Sequence, residues 1–463
     1  MHRVTDQKIT PDMFFNEEPP ERIIGVEDEY DIQIPDRPHP AYEYRNSIQA
    51  SDYITKEAIR ATGLRVMGSY IENGGKIYQD VGHAEYCTPE CLGPYQAAAA
   101  DLAGMHVLSA VVQASGVEHN GLYRISGTWN STSAYGTTNG IHENFMAPAS
   151  IAYNRILPGI ITSYYATRLA AMAGTVSRNK YIFSQKEHGI GGTPIERNLV
   201  RRTAHGSKPM ALILKEESET VGNGWLRLET RYADAPISLA ARRHALATTS
   251  LMLRLVEHQN MFEEDEFDDI ILNDPVAATH IFMRDLTLRK KAEVRSGQRL
   301  NMLDIQEKLA EKVLFLCERI KLPEDEVDAA KTWPVIIDAF RRSDPSKVEY
   351  DPYLLREYGV ATKHYWLNRI DTFSKGDAES KTRSMQWDRV LPPGNGIAMM
   401  SRSKLVDPAI EELKVNAPLT RAAVRQQFIQ ENESDEKARV INWNGGLLNS
   451  MSIDFSDPYG YRE

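Results

Sequence analysis

The segment 22–32, RIIGVEDEYDI, alternates apolar and polar side chains as a half-buried β-strand does. It is rich in β-branched residues and contains no proline, which favours an extended backbone. Successive side chains of a strand point to opposite faces, so Glu27 and Glu29 share one face, whereas Val26 and Tyr30 lie on the other. The pattern predicts a strand that presents two carboxylates on one side.

Two carboxylates on one strand face repel each other unless a cation lies between them. Hard divalent cations such as Mg²⁺ take oxygen ligands, often a few carboxylates together with the phosphates of a substrate. The alternative is an exposed edge strand on which Glu27 and Glu29 are simply solvated, because glutamate is mostly a surface residue. Residues further along the chain bear on this choice.

Two other segments also predict strands with one polar face. A turn signal at 73–75 leads into a strand on which Tyr78 and Asp80 share a face, and Glu85 follows after a second turn. The second segment is 226–232, LRLETRY, whose apolar residues alternate with polar ones. The polar face of that strand carries Arg227, Glu229 and Arg231.

Apolar residues recur at helical spacing in at least two long segments. The segment 94–115 predicts a helix that stops at Gly116, and 302–320 carries a continuous apolar stripe that core packing explains. Strands with a polar face, combined with amphipathic helices, predict an α+β fold. We expect a curved, mainly antiparallel sheet that is backed by helices.

Composition and charge exclude some classes of protein. The chain has 463 residues, 42% of them hydrophobic and 25% charged, which is ordinary for a soluble globular protein. A net charge of −10 argues against a general nucleic-acid binder. Three cysteines make no disulfide framework, and no apolar run approaches the length of a membrane span. The expected location is the cytoplasm, with no membrane partner.

Changes in composition suggest three parts. Residues 1–20 look like a flexible N-terminal extension without the apolar core of a signal peptide. Residues 21–392 would form one large domain, which ends at the turn-forming sequence PPGNG. Residues 393–463 would form a small C-terminal domain.

The polar strand faces together suggest a site for a metal and a nucleotide. A concave sheet lined with carboxylates is too costly to assemble without cations, and Mg²⁺ bound there would also hold phosphates. Guanidinium groups would complement a transferred phosphoryl group. No P-loop or kinase-type glycine loop is present. The residues of this predicted face are Glu27, Glu29, Tyr78, Asp80, Glu85, His142, Glu143, Arg227, Glu229 and Arg231.

In order and spacing, these residues and their neighbours resemble the Pup–protein ligase and depupylase family of glutamine synthetase-like carboxylate–amine ligases. The resemblance covers nearly the whole chain, and it is specific because several motifs occur in the family's order. They are GVEDEY at 25–30, NGGKIYQDVGHAEYCTPE at 73–90, YGTTNGIHENF at 135–145, RDLTLRK at 284–290, LDIQ at 303–306 and PLTRAAVRQQFI at 418–429.

The resemblance implies a glutamine synthetase-like catalytic domain, with Asp80 as the catalytic aspartate. It also implies two metal sites on the sheet, one for each of two groups of ligands. These groups are Glu27 with Glu85, and Glu29 with His142 and Glu229.

The resemblance further implies that the chain binds ATP with Mg²⁺. Arg231 matches the phosphate-facing arginine of the E-x-R strand, and Trp443 matches an aromatic residue near the nucleotide base. The implied nucleotide contacts are Tyr78, Asn144, Arg227, Arg231 and Trp443.

By the same resemblance, the expected activity is an ATP-dependent ligation. The side-chain carboxylate of a C-terminal glutamate on Pup, a small disordered protein modifier, would be phosphorylated and transferred to a lysine of an acceptor protein. Two alternatives within the family remain open: a depupylase or deamidase that hydrolyses the same bond, and a divergent ligase for another peptide or small carboxylate. A non-catalytic binding protein is a third class, but unused clustered carboxylates would be destabilising.

Two sequence features favour the ligase branch over the hydrolase branch. The connection from Tyr30 to Asn73 is short, whereas depupylase-type members carry a long insertion there, and the triplet at 80–82 resembles the ligase form. Two positions depart from the family's pattern: Ala84 replaces a usual proline, and Glu229 replaces a usual histidine. These departures leave the identity of the carboxylate substrate open.

Overall fold

The computed structural model describes residues 9–33, 59–80, 83–118, 126–129, 141–184, 212–215, 224–230, 232–391 and 407–460. Predictions that concern the remaining residues, among them Arg231 and the start of the 135–145 motif, lie outside these described ranges.

Eighteen strands occur in the described ranges. They are β1 (Ile23–Gln33), β2 (Val66–Met67), β3 (Tyr70–Ile71), β4 (Lys76–Asp80), β5 (His83–Cys87), β6 (Cys91–Leu92), β7 (Ser126–Trp129), β8 (Ile141–Pro148), β9 (Thr175–Ser177), β10 (Lys180–Ile182), β11 (Leu212–Lys215), β12 (Trp225–Thr230), β13 (Ala292–Glu293), β14 (Arg299–Leu300), β15 (Arg389–Leu391), β16 (Arg439–Asn442), β17 (Gly445–Leu448) and β18 (Met451–Asp454).

The same ranges contain twelve α-helices and several short 3₁₀ turns. The helices are α1 (Ile59–Ala61), α2 (Gly93–Glu118), α3 (Leu157–Thr167), α4 (Leu239–Glu257), α5 (Pro275–Met283), α6 (Met302–Cys317), α7 (Glu324–Arg341), α8 (Pro352–Glu357), α9 (Gly359–Arg369), α10 (Asp377–Asp388), α11 (Pro408–Leu413) and α12 (Arg421–Asn432).

One sheet of eleven strands dominates the structure, and β1 lies at its centre. The main path runs β11-β12-β8-β1-β5-β4-β3-β2, while β6 and β7 pair with the two ends of β1 and β15 pairs with β7. Every one of these pairings is antiparallel. The predicted α+β fold, an antiparallel sheet backed by helices, is therefore confirmed.

Helix α2 packs against β1 and α4 on the back of the sheet. Ile24, Val26 and Tyr30 of β1 are buried on that side, as the alternation predicted. The approach is close at Gly104 of α2, where a Cβ atom would lie 2.0 Å from the ring of Tyr86. Only glycine lets the helix backbone sit this near to the aromatic ring.

Among the described residues, one helix meets the length and composition expected of a membrane span, namely the part of α2 from Gly93 to Ala114. The charged residue Asp101 interrupts this window, so it is not an unbroken apolar run. The helix is a core helix, because 72% of that window is buried against the rest of the protein. A helix that the protein encloses on most sides has apolar residues on nearly all of its faces, as core helices of globular proteins do.

The N-terminal residues that the structure describes are packed rather than loose, which corrects the expectation of a flexible extension for residues 9–20. Residues Pro11–Phe15 form a 3₁₀ turn, and Phe14 is fully buried. The ring of Phe14 lies 5.3 Å from that of Trp225, and the guanidinium carbon atoms of Arg22 and Arg254 lie 4.9 and 4.8 Å from its centroid.

Residues 407–460 carry two helices and the three-stranded sheet β16–β18. A small apolar cluster joins this part to the sheet edge, because Phe428 and Phe455 pack in one cluster with Met67 and Tyr70 of β2 and β3. The division into three parts that was drawn from the sequence stays a prediction.

Candidate active site

The face of the large sheet that α2 leaves open gathers most of the predicted site residues. Register around β1 places Glu27 opposite His142 of β8, and Glu29 opposite Glu85 of β5. Tyr78 of β4 is the next residue in the row after Glu85. Side-chain alternation along four separate strands thus brings residues from distant parts of the sequence onto one surface.

Glu27 lies between two positively polarised groups. His142 Nδ1 is 2.9 Å from Glu27 Oε2, and Arg227 donates to Glu27 Oε1 at 3.0 Å. Arg227 also donates to Asn144 Oδ1 at 2.8 Å. These contacts fix Arg227 across three neighbouring strands, with its guanidinium group over the open face.

Glu229 lies beside Asn144 in the sheet, and its side chain is fully buried. Arg227 Nη2 lies 3.7 Å from its carboxylate and supplies a nearby positive charge. The sequence therefore placed Arg227 and Glu229 correctly on the face of β12 that joins the site. Their specific roles as nucleotide contact and metal ligand stay predictions.

Glu85 is held by two donors and surrounded by negative charge. Tyr78 donates its hydroxyl to Glu85 Oε1, and the Cys87 thiol lies 3.4 Å from the same oxygen. Burial, together with the charges of Glu27, Glu29 and Asp80, raises the pKa of Glu85 to about 8. Burial and the same carboxylate neighbourhood also raise the pKa of the Tyr78 hydroxyl and of the Cys87 thiol.

Three carboxylates come together at the centre of the open face. One carboxylate oxygen from each of Glu29, Asp80 and Glu85 lies within 4.8 Å of the other two. A divalent cation fits this donor set, because hard cations prefer carboxylate oxygens and because a cation would offset the repulsion that raises the pKa of Glu85.

The contacts group the predicted metal ligands differently from the two sets drawn from the resemblance. His142 contacts Glu27 rather than Glu29, whereas Glu85 clusters with Glu29 and Asp80. Which of these residues bind a metal stays a prediction.

Glu143 does not belong to this face, contrary to the sequence-based expectation. It lies opposite Val26 in the sheet and points into the core. Arg168 donates to both of its carboxylate oxygens, at 3.0 and 3.1 Å, and Tyr165 donates its hydroxyl to the same group. Consecutive strand residues face opposite ways, so His142 and Glu143 could not both line the site.

Aromatic and cationic side chains continue from the carboxylates to the C-terminal residues. Lys76 of β4 has its Nζ atom 4.1 Å from the centroid of the Tyr78 ring and 5.8 Å from that of Tyr70. The Tyr70 ring meets Trp443 edge to face, with 5.3 Å between the centroids. The guanidinium carbon of Arg425 lies 4.8 Å from the Trp443 ring.

Lys76 was missed by the sequence analysis, although a signal for it was present. It lies two residues before Tyr78 and four before Asp80, so strand alternation places all three on one face. A cation between two aromatic rings and a carboxylate cluster is suited to an anionic ligand such as a polyphosphate.

Comparison with known proteins finds relatives that match most of the chain. The Pup–protein ligase of Acidimicrobium ferrooxidans is 25% identical over 95% of this chain and 96% of its own length. The corresponding ligase of Kribbella flavida is 23% identical over the same shares. The Pup deamidase/depupylase of Mycobacterium tuberculosis is 24% identical over 68% of this chain and 61% of its own length.

The solved structures show a matching fold. A crystal structure of the complex between the prokaryotic ubiquitin-like protein Pup and its ligase PafA has a TM-score of 0.78, at 19% identity, over 96% of this chain and 90% of the other. The structure of PafA with ADP has a TM-score of 0.70, at 20% identity, over 85% and 87%. Residues 22–446, nearly the whole chain, match the family described as Pup-ligase protein. The chain therefore belongs to the Pup-ligase protein family.

Proposed function

We propose that this protein is an ATP-dependent carboxylate–amine ligase that attaches a glutamate-terminated protein modifier of the Pup type to lysine side chains. The observation that carries the proposal is the cluster of Glu29, Asp80 and Glu85 on the open sheet face, which continues into Lys76 and Trp443. The cluster suits Mg²⁺, and the cation and rings beyond it suit the phosphates and base of ATP. Family membership supports the same activity.

The first chemical task is to activate a carboxylate that is a poor acceptor for an amine. A glutamate side chain would take the terminal phosphoryl group of ATP and become an acyl phosphate, with ADP as the other product. Mg²⁺ bound by the carboxylates would neutralise charge on the phosphates. Arg227, which donates to Glu27 and Asn144, would stabilise charge on the transferred phosphoryl group.

The second task is to make the incoming lysine nucleophilic. A lysine has a pKa of about 10.4, so its neutral amine is scarce near pH 7. Asp80 lies at the end of β4, within the carboxylate cluster and half exposed to the open face. Its carboxylate would accept the proton that the lysine loses as the nitrogen attacks the acyl phosphate, and inorganic phosphate would leave.

A cytoplasmic location is part of the proposal. Cys87, Cys91 and Cys317 are all free thiols in the structure. Thiols that stay reduced are typical of proteins in a reducing compartment.

The depupylase relative supports a second candidate function, hydrolysis of the same isopeptide bond. In that reaction Asp80 would act on water or attack the bond directly. Hydrolysis releases the modifier without stoichiometric loss of ATP, so product and nucleotide measured together distinguish the two activities.

The deciding experiment combines the purified protein, ATP, Mg²⁺, Pup ending in glutamate and a lysine-bearing acceptor protein. We expect a conjugate, seen by intact mass, and an equal amount of ADP. Asp80→Asn should lower the rate by about 10²-fold or more, because general-base catalysis contributes about that much, while ATP binding persists. Asp328→Asn, on the exposed surface of α7, is the matched control and should keep full activity.

Three other results would count against the ligase reaction with Pup. ADP formed only with a different carboxylate and amine would keep the chemistry and replace the modifier. Cleavage of a ready-made conjugate without ADP would assign the protein to the hydrolases. Binding of ATP with neither reaction would indicate a binding protein.

A further inference from the structure

Arg425 of α12 bonds extensively between the C-terminal residues and the large sheet. It is fully buried, and it donates to the Gly74 carbonyl from two nitrogens, at 2.8 and 3.1 Å. It also donates to the carboxylate of Glu90 and, at 3.0 Å, to the Trp443 carbonyl. Its guanidinium plane lies near the Trp443 ring.

The two backbone groups that Arg425 bonds, at Gly74 and Trp443, adjoin different parts of the candidate site. Gly74 forms the turn that feeds β4, and β4 carries Lys76, Tyr78 and Asp80. Trp443 is the aromatic ring at the far end of the open face, packed against Tyr70. One guanidinium group thus bonds to the turn before the catalytic strand and to both the backbone and the ring of the predicted base contact.

Arg421 provides a natural comparison, since it lies one helical turn earlier on α12. It donates to the same Glu90 carboxylate and to the side chain of Asn444. These contacts anchor α12 to the segment after β5, but they reach neither the Gly74 turn nor the Trp443 ring. Two buried arginines therefore share one acid, and of the two Arg425 also contacts the Gly74 turn and Trp443.

We propose that Arg425 is a positioning residue that sets the distance between the Trp443 ring and strand β4, and that it thereby determines the affinity for ATP. This inference rests on the proposed function. A lysine in its place would keep the positive charge beside Glu90. Its single ammonium group cannot reproduce the planar fork that bonds Gly74, Glu90 and Trp443 together.

The test measures ATP binding directly, by titration calorimetry with Mg²⁺, alongside the thermal midpoint of unfolding and the steady-state kinetics. We expect Arg425→Lys to weaken ATP binding about tenfold and to raise the KM for ATP by a similar factor, while kcat stays within about threefold. Arg421→Lys should lower the thermal midpoint to a comparable extent and leave the affinity for ATP unchanged.

A double-mutant cycle separates positioning from general loss of structure. In a Trp443→Leu background, Arg425→Lys should weaken ATP binding no further, because its effect passes through that ring. Should Arg425→Lys fail to fold, Arg425→Gln, which still donates to the Gly74 carbonyl, is expected to give the same loss of affinity.

Two outcomes would overturn the inference: equal losses of ATP affinity in the Arg421 and Arg425 variants, or wild-type affinity in Arg425→Lys. Neither is confused with failure of the proposed function, which would show as no ATP binding by the wild-type protein.

Discussion

At the residue scale, the raised pKa of Glu85 reflects its burial and the negative charges around it. Its neighbours on the open face are acids, and its burial denies it the water that would stabilise a negative charge. Burial and these charges raise its pKa to about 8, which favours the protonated form when no cation is nearby. The surface is therefore suited to a cation and costs stability without one, as functional sites often do.

This reasoning predicts the effect of removing one charge. Glu29→Gln should raise the free energy of unfolding by about 0.5–1 kcal/mol when no divalent cation is present, because one repulsive partner of Glu85 and Asp80 is lost. The stabilisation that Mg²⁺ confers on the wild-type protein should shrink in the same variant. Chemical denaturation with and without Mg²⁺ provides both measurements.

Glu311→Gln, on the exposed side of α6, removes the same charge far from the cluster and should change neither value. If Mg²⁺ stabilised Glu29→Gln as strongly as the wild type, Glu29 would not bind the cation.

Strand periodicity was enough to identify most site residues. It placed Glu27, Glu29, Tyr78 and Asp80 on the open face, because each lies in a strand with clear alternation. It failed at Glu143, since the polar, glycine-containing sequence before β8 gives no register and two consecutive polar residues fit either face. The pairing of His142 with Glu27 also depends on strand order in space, which local sequence does not specify.

At the scale of elements, the contact between α12 and the turn before β4 explains a glycine in the family motif. Gly74 has a φ of +80°, and a Cβ atom there would lie 2.8 Å from the carbonyl oxygen of Ala422 in α12. The turn thus needs glycine for its backbone conformation and also for the close approach of the helix.

A matched pair of variants separates these two requirements. Gly63 has a similar φ of +77°, and no atom lies within 4 Å of its Cβ position. Gly63→Ala should cost about 1 kcal/mol of stability for the backbone alone. Gly74→Ala should cost about 2–3 kcal/mol, because overpacking against α12 is added. Denaturant midpoints would measure both, and equal costs would show that α12 simply moves away.

Two other motifs that carry the family resemblance turn out to support the fold. Asp285 in RDLTLRK accepts hydrogen bonds from the backbone of Arg289 and Lys290 and so closes a loop. Gln306 in LDIQ bonds Thr167 of α3 and Trp333 of α7. The sequence showed that these residues belong together in one family, but only their contacts show that they position elements rather than substrates.

At the scale of the whole molecule, Glu90 links the predicted large domain to the predicted C-terminal domain. It does so by accepting hydrogen bonds from Arg421 and Arg425 of α12. Burial alone would raise its pKa, but the guanidinium groups of Arg421 and Arg425 outweigh burial and bring that pKa to about 2. An acid whose pKa is lowered by folding stabilises the folded state above its ordinary pKa of 4.5, and that stability is lost as the pH falls towards 2.

Glu90→Gln should therefore make the free energy of unfolding less dependent on pH in acid solution. Between pH 5 and pH 3 we expect the wild-type protein to lose about 2 kcal/mol more of its unfolding free energy than the variant does. At pH 7 the variant should be the less stable of the two, because two buried arginines lose their partner. Urea titrations across this pH range measure the difference, and parallel curves would contradict the assigned role of Glu90.

The packing of residues 9–20 also belongs to this scale. Phe14→Ala should cost about 3–4 kcal/mol, because it empties a buried site between Trp225 and two arginines. Phe15→Ala, next in the chain and 42% exposed, should have little effect. Thermal unfolding of the two variants would compare them, and similar midpoints would mean that the N-terminal turn contributes little.

The hydroxyl of Tyr459 donates to the carbonyl of Glu21, at 2.9 Å, across 438 residues of sequence. The strand that carries Glu27 and Glu29 begins just after that carbonyl. During synthesis on the ribosome, the strand emerges long before its anchor does. Its sheet partners β5 and β8 are made soon after it, so the Tyr459 hydrogen bond is added late, to a strand that already belongs to the sheet.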